Sequence, residues 1–261
     1  MKNQYEVWEI IECPDNQFEI WISINYLMNN VAQMLTDLIH TYKFCYLGLE
    51  IPESKYQEFK HTVELNFVYS DKDPFNKLNK NAKNHISQNY LKDILEIIYF
   101  QLSEVCQIIY LLNQRGKGYN KIKMDEALVK HKAKLNKKHF PELVQILEKA
   151  TGSLYFRNHI LSINTVRRHL VHRNGLVESD SIELITRTMK LFANESYSDI
   201  NYDLTEDDKK FIDFSKTWKL GEYISLEYDD CFRIQFTVLS FFQEITNKIK
   251  IKFPELTTNQ S

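Results

Sequence analysis

The chain is poor in the residues that turn a backbone. It has 6 glycines and 5 prolines in 261 residues, roughly a third of average usage for each. A β-sandwich or barrel needs a turn every ~8–12 residues, so both are disfavoured and long helices are expected. The scarce glycines also exclude phosphate-cradling loops, because neither G-x-G-x-x-G nor G-x-x-x-x-G-K occurs. The four cysteines, Cys13, Cys45, Cys106 and Cys231, form no C-x-x-C pair. That excludes a zinc ribbon and a thioredoxin-type redox motif, and no metal or other cofactor is implied. Cys106 falls on an apolar helical face and reads as core. No apolar run approaches the about 18 residues of a membrane span. The opening stretch MKNQYEVWEIIECPDN carries acids and no uninterrupted apolar core. The expectation is therefore a cytoplasmic protein with no membrane partner.

An excess of charge is also lacking. Lys and Arg total 33 against 35 Asp and Glu, for a net charge of −2. That excludes a uniformly basic nucleic-acid binder but not a locally basic one. The local distribution is uneven. Between Arg115 and His139 nine Lys/Arg face two acids, and between residues 178 and 230 fourteen acids face six Lys/Arg. The basic run reads either as a solvated loop or as an RNA-backbone contact through Lys130, Lys134, Lys137 and Lys138, with Tyr119 available to stack on a base.

The apolar pattern predicts an all-α, mainly helical protein with room for one short hairpin or strand pair, made of a smaller N-terminal section (residues 1–80) and a helical domain (residues 81–256). Phe18–Ile24 alternates as a short strand. In Asn25–Tyr42 the residues Leu27, Val31, Met34, Leu35, Leu38 and Ile39 recur at helical spacing, and Glu53–Leu65 fits a helix or a strand equally. Ser70–Pro74 is a break. The strongest helix is Asn89–Asn113, where Leu91, Ile94, Leu95, Ile98, Leu102, Val105, Cys106, Ile109 and Leu112 hold one face for six turns. A short helix opens at Phe140-Pro141-Glu142 and closes at Gly152. Another runs from a Ser153 cap to Gly175. Thr205–Asp208 resembles a capping box, Lys219–Leu226 a turn and short strand, and Asp229–Lys252 a last helix.

The chemistry concentrates in Ile160–Val177, ILSINTVRRHLVHRNGLV. Ile160, Ile163, Val166 and Leu170 form a stripe that must be buried. Beside it runs a polar stripe with Asn164, Arg168 and His172. Arg167, Arg168 and Arg173 lie with His169 and His172 inside seven residues, a density that stability does not require. An arginine fork binds a phosphate bidentately and keeps its charge. An imidazole moves protons near neutral pH. Together they suit cleavage of an RNA phosphodiester by the neighbouring 2′-hydroxyl, which needs no metal. The bland alternatives are a salt-bridged interface for Arg167 and His172, a solvated or capping His169, and a plain helix end for Asn174-Gly175.

VRRHLVHRNG resembles the VRN-x-x-VHRNG form of bacterial HEPN proteins, and Arg167 to His172 fits R-x4-H by count. Asn89–Asn113 is similar to the first helix of that family's hairpin, and the resemblance spans roughly 81–254. It implies a helical bundle that forms a homodimer, and metal-independent endoribonuclease activity in a toxin or anti-phage defence effector. RNA would be the partner, with an antitoxin or defence-system protein as a second one. Arg167 would be the motif arginine and His172 the catalytic histidine, with Asn174 orienting it. This chain has Arg168 where Asn is commonest and Asn174 where one toxin subgroup has Tyr. Those departures motivate the alternative, a non-catalytic dimerisation or scaffold module. Five residues along a straight helix also leave Arg167 and His172 about 140° apart. Either the helix distorts before Asn174, or Arg168 is the phosphate ligand on the same face, or Arg167 reaches a partner's site.

Overall fold

The computed structural model describes residues 8–12, 18–48, 74–114, 121–173, 175–178, 180–190 and 210–254. Glu53–Leu65, Tyr119, Asn174 and Thr205–Asp208 lie outside these. Among the described residues are six helices and two two-stranded antiparallel sheets. In chain order they are β1 (Trp8–Glu12), β2 (Phe18–Ile22), α1 (Ile24–Gly48), α2 (Pro74–Gln114), α3 (Lys121–Leu135), α4 (Phe140–Thr151), α5 (Arg157–His172), β3 (Ile182–Met189), β4 (Phe211–Trp218) and α6 (Tyr228–Lys252). The protein is mainly helical, with small strand pairs.

Helix α2 is the axis of the fold. All nine residues of its apolar stripe are buried, and α1, α4, α5 and α6 pack against it. The helix extends 15 residues before Asn89 into a polar, Asn/Lys-rich segment. Tertiary contacts hold part of that extension. The Tyr42 hydroxyl and Ser87 Oγ lie 2.8 Å apart, and Lys83 sits over the Tyr46 ring at 4.8 Å. Residues of α1 (Leu27, Val31, Leu35 and Tyr42) join the same continuous core as α2 and α6. By length and composition Asn79–Gln114 would also cross a membrane, contrary to the expectation from its sequence, but 67% of its most apolar window is buried inside the fold.

The basic run 121–135 is a helix, which overturns the loop reading. Met124, Leu128 and Leu135 turn inward while Lys130, Lys132 and Lys134 stay exposed, so a narrow apolar stripe suffices to dock α3 along α2. His131 belongs to that docking face. Its ring stacks on Tyr110 at 4.1 Å, and its Nε2 is buried with no hydrogen-bond partner. Burial holds its pKa below the ordinary histidine value, partly offset by a hydrogen bond to the Cys106 backbone. A histidine whose folded pKa is depressed is harder to protonate folded than unfolded, so stability is full above the unfolded pKa of about 6.5 and falls as pH drops below it. We expect α3 to loosen first below about pH 6. His131→Phe should flatten that part of a thermal-melt profile against pH; an unchanged profile would assign the acid sensitivity elsewhere.

The acidic stretch contains an antiparallel strand pair; the sequence reading expected one short hairpin or strand pair but did not place it here. β3 pairs with β4 from Ile182↔Trp218 to Met189↔Phe211. Ile182, Leu184, Thr186 and Thr188 are all buried, a period-2 pattern. The strand expected at 219–226 lies before that segment instead. Residues 219–222 form the turn, and Tyr223 makes only an isolated bridge to Leu176. The free side of β3 is satisfied by helical hydroxyls: Ser162 Oγ accepts the Ile185 N–H at 2.9 Å and Thr237 Oγ1 accepts that of Arg187 at 2.8 Å. These two contacts clip the hairpin onto α5 and α6 and relieve an otherwise unpaired strand edge.

Candidate functional site

Helix α5 begins at Arg157 rather than just after Ser153, and it carries no acid in its first turn. Its N-terminal amides are capped from a distance. Glu244 of α6 accepts the Tyr155 N–H at 2.8 Å and the Phe156 N–H at 3.1 Å. Glu148 of α4 accepts the Leu154 N–H at 3.3 Å and pairs with Arg157 at 2.9 Å. Carboxylates at the positive end of a helix dipole are favourable. The far end closes on His169, whose carbonyl accepts the N–H groups of Arg173 at 3.0 Å and Gly175 at 3.1 Å. Gly175 has φ +82°, and a Cβ there would meet Leu170 Cδ2 at 3.3 Å. Glycine is therefore suited to turn the chain away three residues after the helix ends at His172. The helix runs unbroken through His172, so it does not distort before that residue.

Asn164, Arg167, Arg168 and His172 line one groove of about 900 Å³. Its second wall is α2, through Tyr99, Phe100, Glu96 and Glu104. Its third is the end of α3 and the start of α4, through Lys132, Asn136, Lys137, Lys138 and His139. The groove takes in a broad arc of α5, so both arginines and His172 reach it despite their angular separation on the helix. Five Lys/Arg against two Glu leave it net cationic.

Little of that charge is spent internally. Lys138 pairs with Glu142 at 2.8 Å. Among the described residues, the side chains of Lys132, Lys137, Arg167, Arg168 and His172 have no ion-pair or hydrogen-bond partner. Arg167 is half-buried, and its Nε is fully buried with nothing to donate to. A buried, unsatisfied guanidinium N–H costs folding free energy. It becomes intelligible if an anion outside the chain completes it.

The other sequence candidates fall elsewhere. His169 is buried, with Nδ1 at 3.0 Å from the Thr165 carbonyl oxygen, so it is a packed residue and not a ligand. Arg173 is paired with Glu178. Lys130 and Lys134 are exposed on α3 but do not line the groove. Among the described residues no cluster of metal-ligating side chains is found.

Sequence reasoning missed His139, Tyr99, Phe100 and Glu96. Phe100 carried one readable signal: it is an aromatic residue off the buried stripe of α2, and it is 55% exposed. Tyr99 fixes the third wall, since its hydroxyl donates to the Lys138 carbonyl at 2.7 Å. Removing that bond alone should let the Lys137–His139 segment move without unfolding the protein. We expect Tyr99→Phe to cost about 1 kcal/mol of stability and to speed amide exchange locally around residues 137–139. Parallel melts and hydrogen exchange check this; unchanged exchange there would show that the bond does not hold the third wall.

No protein-family model matches this chain, and no curated protein or solved structure matches it. The fold therefore defines it as a mainly helical protein with a cationic three-walled groove, and the chemistry of that groove carries the functional reading.

Proposed function

We propose that the chain is a metal-independent endoribonuclease of the HEPN type, acting as a homodimeric toxin or anti-phage defence effector. One observation carries this reading: Arg167, with its unsatisfied buried Nε, and Arg168 line the same groove as His172, with free lysines on the facing wall. In the proposed reaction the ribose 2′-oxygen attacks phosphorus and the bond to the 5′-oxygen breaks. The proton of the 2′-hydroxyl passes to one imidazole and the leaving oxygen takes a proton from another. His172 supplies one of these transfers, and His139 is the second imidazole in the groove. The arginines hold the phosphate and balance the charge that grows on its oxygens. The products are a 2′,3′-cyclic phosphate and a 5′-hydroxyl.

The test is incubation of the purified protein with mixed RNA in EDTA. Cleavage that leaves cyclic-phosphate ends, and that a 2′-deoxy substitution at the cut site abolishes, supports the proposal. An unrestrained wild type that cuts no RNA sinks it. Binding should also be salt-sensitive, since engaging about four phosphates on a single strand gives a slope near −3 in log K against log salt.

A second reading, a non-catalytic dimerisation or scaffold module, draws on another groove of about 760 Å³, lined by Tyr155, Phe156, Phe211, Phe236 and Leu239. Tyr155 is 55% and Phe211 46% exposed there, and apolar surface of this kind suits a protein contact. Under this reading His172→Ala leaves assembly and biological effect intact.

A further inference from the structure

The α2 wall of the groove has a chemistry that phosphate binding does not use. Phe100 presents an exposed ring in a cleft whose other two walls are cationic. An exposed phenyl ring at that place is not explained by packing, because the buried stripe of α2 lies on other residues. One turn before it, Glu96 reaches the same cleft. Among the described residues Glu96 has no hydrogen-bond or ion-pair partner. Glu104, one turn beyond, is already engaged: its carboxylate accepts Trp8 Nε1 at 3.3 Å and Gln107 Nε2 at 3.1 Å. A free carboxylate in a phosphate-binding groove is unfavourable for the phosphates themselves. It is favourable for the donor edge of a base.

Resting on the ribonuclease reading, we propose that Phe100 and Glu96 form a base subsite that selects an unpaired guanine beside the scissile phosphate. The ring stacks on Phe100, a contact open to any base because every base has a π-face. Selectivity comes from Glu96. A carboxylate is a pure acceptor with two oxygens, and guanine alone presents two adjacent donors, N1–H and the N2 amino group, along its pairing edge. Adenine and cytosine offer one amino donor beside an acceptor, and uracil one imino donor between two carbonyls. Single-stranded RNA exposes these edges, whereas a duplex hides them. The lysines of the facing wall follow the backbone.

The experiment measures binding of short uridine-rich RNAs carrying one guanine, adenine or cytosine, in EDTA, to the full chain bearing His172→Ala so that the RNA stays intact. The guanine-bearing RNA should bind tightest. Phe100→Ala should weaken all three by about tenfold, and Phe100→Tyr should restore them. Glu96→Gln turns one acceptor into a donor. It should cut the preference for guanine over adenine by about tenfold and move it toward adenine, which offers a donor and an acceptor. If all RNAs bind, and binding depends on Arg167 and Arg168 but not on Phe100 or Glu96, the base subsite is overturned while the ribonuclease reading stands. If no RNA binds at low salt, the ribonuclease reading falls and takes the subsite with it. If Phe100→Ala dissolves an oligomer in sedimentation while the base preference stays fixed, Phe100 is a contact between copies and the subsite is overturned.

Discussion

His172→Ala is expected to lower RNA cleavage in EDTA by about 10²–10⁴-fold while leaving the melting temperature unchanged. The two halves of this expectation have separate causes. The imidazole is exposed on the last turn of α5 and has no hydrogen-bond or ion-pair partner among the described residues. Removing it opens no cavity and strands no buried group, and such surface changes stay within about 0.5 kcal/mol. Loss of activity together with a lower melting temperature would mean that His172 is structural, and the catalytic assignment would be wrong.

The two arginines should separate in the same assay. Arg167 is half-buried with an unsatisfied Nε, whereas Arg168 is exposed. A donor held in a partly dry site is worth more to a developing charge than one in open water. Arg167→Ala should therefore cost about 10²–10³ in kcat, and Arg168→Ala should act mainly on KM and on the salt dependence. Arg167→Ala also removes a buried donor that has no partner, so the variant should be as stable as the wild type or more so. Arg167→Lys should not rescue kcat, because an ammonium lacks the planar fork. Equal effects at the two positions would leave Arg168 with the phosphate role that its alignment with His172 first suggested.

The parts of this molecule that were legible in the sequence are those with local causes. The α2 stripe from Leu91 to Leu112 needed only the helical period, and every residue of it is buried. On α6 the same holds for Ile234, Val238, Phe242, Ile245 and Ile249, while Leu239 of that stripe is only partly buried. The cluster of Arg167, Arg168 and His172 was visible because its members are neighbours in the chain. The hairpin β3–β4 carried a readable alternation at Ile182, Leu184, Thr186 and Thr188, but two of the inward residues are threonines, which lowers the apolar contrast between its faces. The α2 extension before Asn89 had no signal, because its residues are polar and the contacts that hold part of it, at Lys83 and Ser87, come from the distant α1. The groove itself could not be read. Its walls come from residues near 100, near 138 and near 168, and no period or motif links them. His139 illustrates the point: in the sequence it ends a basic run, and in the fold it lines the same cleft as the motif helix.

Glu244→Ala should be the most damaging of the polar substitutions to the fold, by about 2–3 kcal/mol. Its carboxylate lies 89 and 88 residues from the amides it caps, and it is mostly buried, at 15% side-chain exposure. Both oxygens are used, one for each N–H, and Lys248 balances the charge from 3.6 Å. Hydrogen bonds to a charged group are worth about 1.5–3 kcal/mol each, but two on one carboxylate do not add fully. Glu148 still holds the Leu154 N–H, so α5 should fray at its first turn and not detach. For a chain of this size the loss amounts to about 5–10 °C in melting temperature. Glu244→Gln should recover part of it, because the amide oxygen still accepts one N–H while its NH2 faces the other. Fraying at residues 155–157 is remote along the helix from His172, and the packed Ile160, Ile163 and Val166 between them are fully buried. The variant should therefore keep its activity per folded molecule well below its melting temperature. A large activity loss in a folded Glu244→Ala protein would show that the pose of the motif is set from the start of α5 and not by its packed middle.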